Sequence, residues 1–266
     1  MKHVKLFEAF STISLTEEQK IWLDECAGGG WRLNPSTGLI DVNGDFNCRG
    51  QGLKNFKGVA FGRAKGNFNC TNNQLTSLEG APKIVNGDFY CADNQLTSLK
   101  GAPETVDEYF NCDSNQLTSL DGAPKTVDGY FYCNNNQLTS LDGAPESIGK
   151  SFSCAENQLT SLEGAPKTVG GVFYCTDNQL TSLVGAPKTV NGSFYCSSNP
   201  VSEKTLASIF NLMRKGKSYQ QALEEFWPKM GHEDRALMYK DHRSLAQEEI
   251  RRYDALTTVN RIKNYL

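Results

Sequence analysis

The chain has 266 residues, 24 of them Gly, and a hydrophobic fraction of 38%, which suits many tight turns better than one thick core. Its formal net charge of -3 sets up no overall field toward nucleic acid, although residues 201–266 are net basic and residues 41–200 net acidic. No apolar run approaches the length that spans a bilayer.

Met1 to Phe10 lacks the long apolar stretch and small-residue cleavage site of a signal peptide. A soluble chain is therefore expected, resident in a cytoplasm. Thr16-Glu17-Glu18-Gln19 is a capping-box pattern that opens a short helix ending near Gly28-Gly29-Gly30. Ile21, Trp22 and Cys26 on that helix are expected to cover the first coil of the repeats that begin near residue 41. Trp31 to Val42 reads as an irregular strand leading in, with Pro35 to Gly38 as its turn. Residues 1–40 are thus expected to form an N-terminal cap.

From about residue 41 the sequence aligns in rows of 21. Phe recurs at 46, 68, 89, 110, 131, 152, 173 and 194, and Cys two places later from Cys48 to Cys196. Asn recurs from Asn73 to Asn199 and Leu from Leu75 to Leu180. In Phe89-Tyr90-Cys91 alternate residues face opposite sides of a short strand, so Phe and Cys point inward and Tyr outward. One coil cannot bury its own Phe, Cys, Leu and Val, but stacked coils share a continuous core. Gly-Ala-Pro, as in Gly122-Ala123-Pro124, reverses the chain. The expectation is one strand per coil in a single parallel sheet of about eight coils over residues 41–201.

The segment Phe-x-Cys-x-x-Asn-x-Leu resembles the second half of the leucine-rich-repeat consensus, and a 21-residue period lies within that family's range. The resemblance implies an α/β solenoid. The Gly-Ala-Pro corner and the Val-x-Gly before each strand depart from the family pattern. The set of Leu-Phe-Glu start, Val-x-Gly-Asp-Phe-x-Cys strands and Leu-Thr-Ser-Leu-x-Gly-Ala-Pro is similar to leucine-rich-repeat proteins of tailed bacteriophages and bacteria. That likeness implies a binding protein that sequesters or inhibits a host factor, defence components included, in the host cytoplasm if phage-encoded.

The Cys ladder lacks any Cys-x-x-Cys pair, so it reads as small apolar packing rather than metal ligation or disulfides. The Asn ladder reads as inward amides that satisfy backbone groups left unpaired by the corner. Outward positions carry the information for a partner. The expected protein-binding residues are Asp88, Tyr90, Asp93, Tyr109, Asn111, Asp113, Tyr130, Tyr132, Asn134, Glu156, Tyr174, Asp177 and Tyr195. Tyr supplies large contact area at low entropic cost, and Asn supplies adaptable hydrogen bonds. The acidic members favour a partner with a basic or neutral surface and argue against nucleic acid on this face.

After residue 201 the repeat ends. Ser202, Ser218 and Ser244 read as N-caps, with helices over about 202–214, 218–227, 232–241 and 244–265. Residues 202–266 are expected to form a helical cap or domain. Arg235, Lys240, Arg243, Arg251, Arg252, Arg261 and Lys263 could form a basic patch, which keeps nucleic-acid association open as a second reading. Assembly into a virion part through the solenoid ends is a third.

Only three His occur, and no phosphate loop, His-Glu-x-x-His motif or Gly-x-Ser-x-Gly turn is present. Bacterial ubiquitin ligases that join such repeats to a helical catalytic domain need a Cys nucleophile there, and none follows Cys196. A non-enzymatic protein without a cofactor or metal, its oligomeric state open, is expected.

Overall fold

The computed structural model describes residues 14–239 and 241–243. The repeat forms a parallel β-solenoid of about seven turns, flanked by helices at both ends. The expectation of a single sheet is corrected, because each coil contributes two strands. One sheet has eight parallel strands, from Phe46–Asn47 to Phe194–Tyr195. Each Phe pairs with the Phe one repeat away, as Phe131 does with Phe110 and Phe152.

The second sheet has nine strands. It begins with an antiparallel hairpin, β1 (Trp31–Leu33) and β2 (Ile40–Val42), whose turn occupies the Pro35 to Gly38 segment. It continues in parallel through Phe61–Ala64 and Ile84–Val85 to Thr189–Val190. The physical reason lies in the short segment ahead of each Phe strand, a β-branched pair in Ile84–Val85, Thr105–Val106, Thr126–Val127, Thr168–Val169 and Thr189–Val190. In Thr126–Val127 the Val is buried and the Thr exposed, so the pair fits a pleated, half-buried surface.

Both sheets drain into one core. Phe131, Cys133, Leu138, Leu141 and Val127 are all fully enclosed. Phe rings stack coil upon coil at 5.0–5.7 Å between centroids, within the favourable aromatic range. Each ladder thiol from Cys48 to Cys175 donates to a carbonyl of the next coil, for example Cys133 Sγ to Ser153 O at 3.3 Å. All nine thiols are free and buried. Burial drives the thiols of Cys91, Cys112, Cys133 and Cys175 well above their ordinary range and raises Cys196 to about 12.

The Asn ladder stitches coils as expected. Asn94 Oδ1 accepts the Leu75 N–H at 2.9 Å, and its amide donates to the carbonyls of Cys70 and Cys91 at 3.0 and 3.2 Å. The pattern repeats at Asn115, Asn136, Asn157 and Asn178. Among the described residues, no buried side-chain nitrogen or oxygen lacks a partner.

The ends of the Phe stack are closed by aromatic residues on helices. α1 (Glu17–Cys26) carries the Thr16–Gln19 capping box and sets Trp22 edge-on against Phe46 at 5.3 Å. Trp22, Leu23 and Cys26 are buried, whereas Ile21 is 57% exposed. Ile21 therefore does not cover the first coil, and Leu23, on the inward side of the helix, takes that place. At the other end α2 (Glu203–Arg214) begins at the Ser202 cap and lays Phe210 on Phe194 at 4.0 Å, extending the stack by one ring.

α3 (Tyr219–Phe226) opens with the Ser218–Gln221 capping box and runs into a 3-10 turn, Trp227–Lys229. Residues 232–239 are helical, as are 241–243. Asp234, in the first turn of that segment, accepts from the Ser202 N–H at 3.0 Å and from the Ser202 and Thr205 hydroxyls at 2.6 Å each. It thereby ties the third helical segment to the N-terminus of α2, where a carboxylate is favoured. The helix expected over 244–265 lies outside the described residues, together with Lys240, Arg251, Arg252, Arg261 and Lys263 of the basic patch. No helix among the described residues is long and apolar enough to cross a membrane.

Candidate protein-binding face

The outward side of the Phe sheet is built from three rows. The row just before Phe runs Asp45, Asn67, Asp88, Tyr109, Tyr130, Ser151. The row just after Phe runs Tyr90, Asn111, Tyr132, Ser153, Tyr174, Tyr195, aligned by strand pairing. The third row follows Cys at the corner.

Several of the expected contact residues are spent on the solenoid itself. Asp88 Oδ1 accepts the Tyr109 N–H at 3.0 Å, repeating what Asn67 does for Asp88 at 2.8 Å. Asn111 Oδ1 accepts the Asp113 N–H at 2.8 Å, and Asp113 Oδ1 accepts the Asn134 N–H at 2.6 Å. Asn134 in turn accepts from the Ala155 N–H at 2.9 Å and from the Ser153 hydroxyl. Asn111 caps within its own coil, and the others reach the next coil, in both cases satisfying N–H groups that the two-residue strands leave unpaired. Burial raises the Asp113 carboxyl, against the lowering effect of its hydrogen bonds to Asn134.

The corner row divides by distance from Cys, one place or two. Asp93, Glu156 and Asp177 adopt left-handed φ of 52°, 54° and 54° and are exposed, one position beyond the residues aligned with Asp113 and Asn134. They carry negative charge along one edge of the face, away from the backbone hydrogen bonding that engages Asp88 and Asp113.

The tyrosines separate into two groups. Tyr174 and Tyr195 stack on adjacent coils at 5.2 Å, nearly parallel. Tyr90, Tyr109, Tyr130 and Tyr132 form a second group around Tyr109. Its ring meets Tyr90 at 5.5 Å, Tyr130 at 5.8 Å and Tyr132 at 4.9 Å, edge to face in each case. Asn111, a smaller residue between Tyr90 and Tyr132 in the same row, leaves the gap that Tyr109 fills from the neighbouring row.

These four rings, with Asp88 and Glu108, line a cleft of about 330 Å³. Tyr90 donates its hydroxyl to Asp88 Oδ2 at 2.8 Å. Burial, helped by that carboxylate, pushes the Tyr90 hydroxyl up to about 12. Burial likewise raises Tyr109 and Tyr132. At neutral pH these hydroxyls are protonated and able to donate.

No protein-family model and no curated protein matches this chain.

One cleft residue and one neighbour of the cleft fall outside the sequence-derived set. Glu108 contributes to the lining, and Lys150 reaches it from two coils away, its Nζ 3.2 Å from Glu108 Oε2. A signal for both is present in the repeat. They occupy a column, two places before Phe, that is Gly at positions 44, 66, 87, 129, 171 and 192. Among the described residues, no group of His, Cys, Asp and Glu is arranged to hold a metal ion.

Proposed function

We propose that this chain is a non-enzymatic protein-binding module of the leucine-rich-repeat type, encoded by a phage or a bacterium, that binds or inhibits a host protein through the outward side of its Phe sheet. The observation that carries this reading is the gathering of Tyr90, Tyr109, Tyr130 and Tyr132 around one cleft on that face. Core packing does not require these rings, since Phe and Cys already fill the inward side. Partly exposed tyrosines on a rigid sheet lose little entropy on contact, and such residues dominate binding energy at interfaces. The Phe-x-Cys-x-x-Asn-x-Leu coil and its hydrogen-bonded Asn ladder support the leucine-rich-repeat assignment. The acidic corner row of Asp93, Glu156 and Asp177 supports a partner with a basic or neutral surface. The site of action in this reading is the host cytoplasm.

The test is affinity capture from a bacterial host lysate with the wild-type chain beside a Tyr90→Ala/Tyr132→Ala/Tyr174→Ala variant, followed by mass spectrometry. A protein bound by the wild type and lost from a variant of unchanged circular dichroism is the expected result. Equal capture by both chains would refute the assignment of this face.

A further inference from the structure

At Gly66, Gly87, Gly129, Gly171 and Gly192, two places before Phe, a side chain would run into the neighbouring coil. A Cβ on Gly129 would collide with the Glu108 carbonyl oxygen, one on Gly87 with Asn67 Oδ1, and one on Gly171 would lie 2.6 Å from Ser151 Oγ. Glu108 and Lys150 break the column at 108 and 150, so each occupies a place that the repeat otherwise keeps empty. Both replacements are charged and of opposite sign; Glu108 lines the cleft, and Lys150 meets two of its lining residues, Glu108 and Tyr130. The Lys150 ammonium lies 3.2 Å from Glu108 Oε2 and 5.2 Å from the centroid of the Tyr130 ring. The chain therefore already holds one cation at the edge of the cleft, against a carboxylate and an aromatic face.

Two carboxylates, Asp88 and Glu108, border the cleft, and among the described residues Glu108 is paired with Lys150 while Asp88 has no salt bridge. Asp88 accepts from the Tyr109 N–H and the Tyr90 hydroxyl, so the cleft keeps one formal negative charge that is hydrogen-bonded but met by no cation among the described ion pairs. Aromatic faces attract cations, most strongly where water is partly excluded. A guanidinium can stack on a ring and donate two parallel hydrogen bonds to a carboxylate at once. At about 330 Å³ the cleft is at the low end for ligand pockets, a size that suits one side chain.

We propose that this cleft is a recognition site for an arginine side chain of the partner protein, with Lys150 as an internal cation that the incoming guanidinium displaces from Glu108 and Tyr130. The proposal rests on the protein-binding reading and adds the chemistry of its central contact. Lys150 leaves toward solvent, where it is already half exposed, and the guanidinium takes up the Glu108 carboxylate.

The experiment is a titration of the full chain, its tyrosines ring-labelled with carbon-13, with N-acetyl-arginine amide and separately with the neutral isostere N-acetyl-citrulline amide. The expected result is saturable movement of the Tyr109, Tyr130 and Tyr132 ring signals with the arginine compound alone. Lys150→Ala should tighten arginine binding by about two- to fivefold, and Glu108→Gln should weaken it by a similar factor, the range set by a single exposed cation–ring or ion-pair contact. Equal response to citrulline, no response to arginine, or weaker binding in Lys150→Ala would overturn the proposal. Tyrosine-dependent capture of a protein alongside a silent arginine titration removes the cation site and leaves the binding face standing. An arginine response without tyrosine-dependent capture removes the binding-face reading instead.

Discussion

Replacing Asn136 with Ala tests whether the Asn ladder is what holds one coil to the next. Oδ1 of Asn136 accepts the N–H of Leu117 in the preceding coil at 3.0 Å. Its amide donates to the carbonyls of Cys112 at 3.1 Å, Cys133 at 3.3 Å and Asn134 at 3.0 Å. In the variant the Cys112 and Cys133 carbonyls keep a donor each, from Asn115 and Asn157. Leu117, fully buried, keeps none for its N–H. An orphaned buried donor costs about 1–3 kcal/mol. With the weakened carbonyls and the small void added, the expected loss is about 2–4 kcal/mol. Urea unfolding measures the total, with Thr139→Ala, on an exposed side chain of the same coil, as a control expected within about 0.5 kcal/mol of wild type. Amide hydrogen exchange gives the local readout, and Leu117 should lose protection more than any neighbour. A total loss below about 0.5 kcal/mol, or an unchanged Leu117 exchange rate, would refute this role for the ladder.

Phe210→Ala should remove the last ring of the aromatic stack and uncover Phe194, costing about 3–5 kcal/mol; thermal unfolding with the last coil monitored by hydrogen exchange checks it. The Asp234 carboxyl, which burial alone would raise, is held below the ordinary carboxylate range by its hydrogen bonds from Ser202 and Thr205. Its contribution is therefore fully present above about pH 3.9, the unfolded value, and is lost as pH falls through its lower folded value. Asp234→Asn should flatten the acid limb of a stability–pH curve for the C-terminal helices, and an unchanged limb would count against that tie. The nine buried thiols should resist iodoacetamide at about pH 8 in the folded chain and all react in urea, read by intact mass. Rapid native alkylation of the ladder cysteines would contradict their burial.

The sequence alone carried the period, and the period carried most of the fold. Phe, Cys, Asn and Leu at fixed intervals of 21 can be buried only if each coil lies on the next, so inward positions were legible residue by residue. Capping signals were equally local. Thr16, Ser202 and Ser218 cap α1, α2 and α3 in the structure, because a cap is decided by three or four adjacent residues.

Only the tertiary structure decided the rest. A Thr-Val pair is too short to announce a strand by alternation, and it becomes one only when the same pair on the coils above and below supplies the partners. Nor does the one-dimensional pattern distinguish an outward Asp that awaits a partner from one that caps a backbone N–H. Asp113 directly follows its Cys and Asp177 stands one place further on, but only stacking shows that the first place accepts from Asn134 and the second projects from a left-handed corner. The cleft is likewise a product of stacking. Glu108 and Lys150 stand 42 positions apart, and they meet because two coils of 21 residues bring them to one edge of the tyrosine cluster.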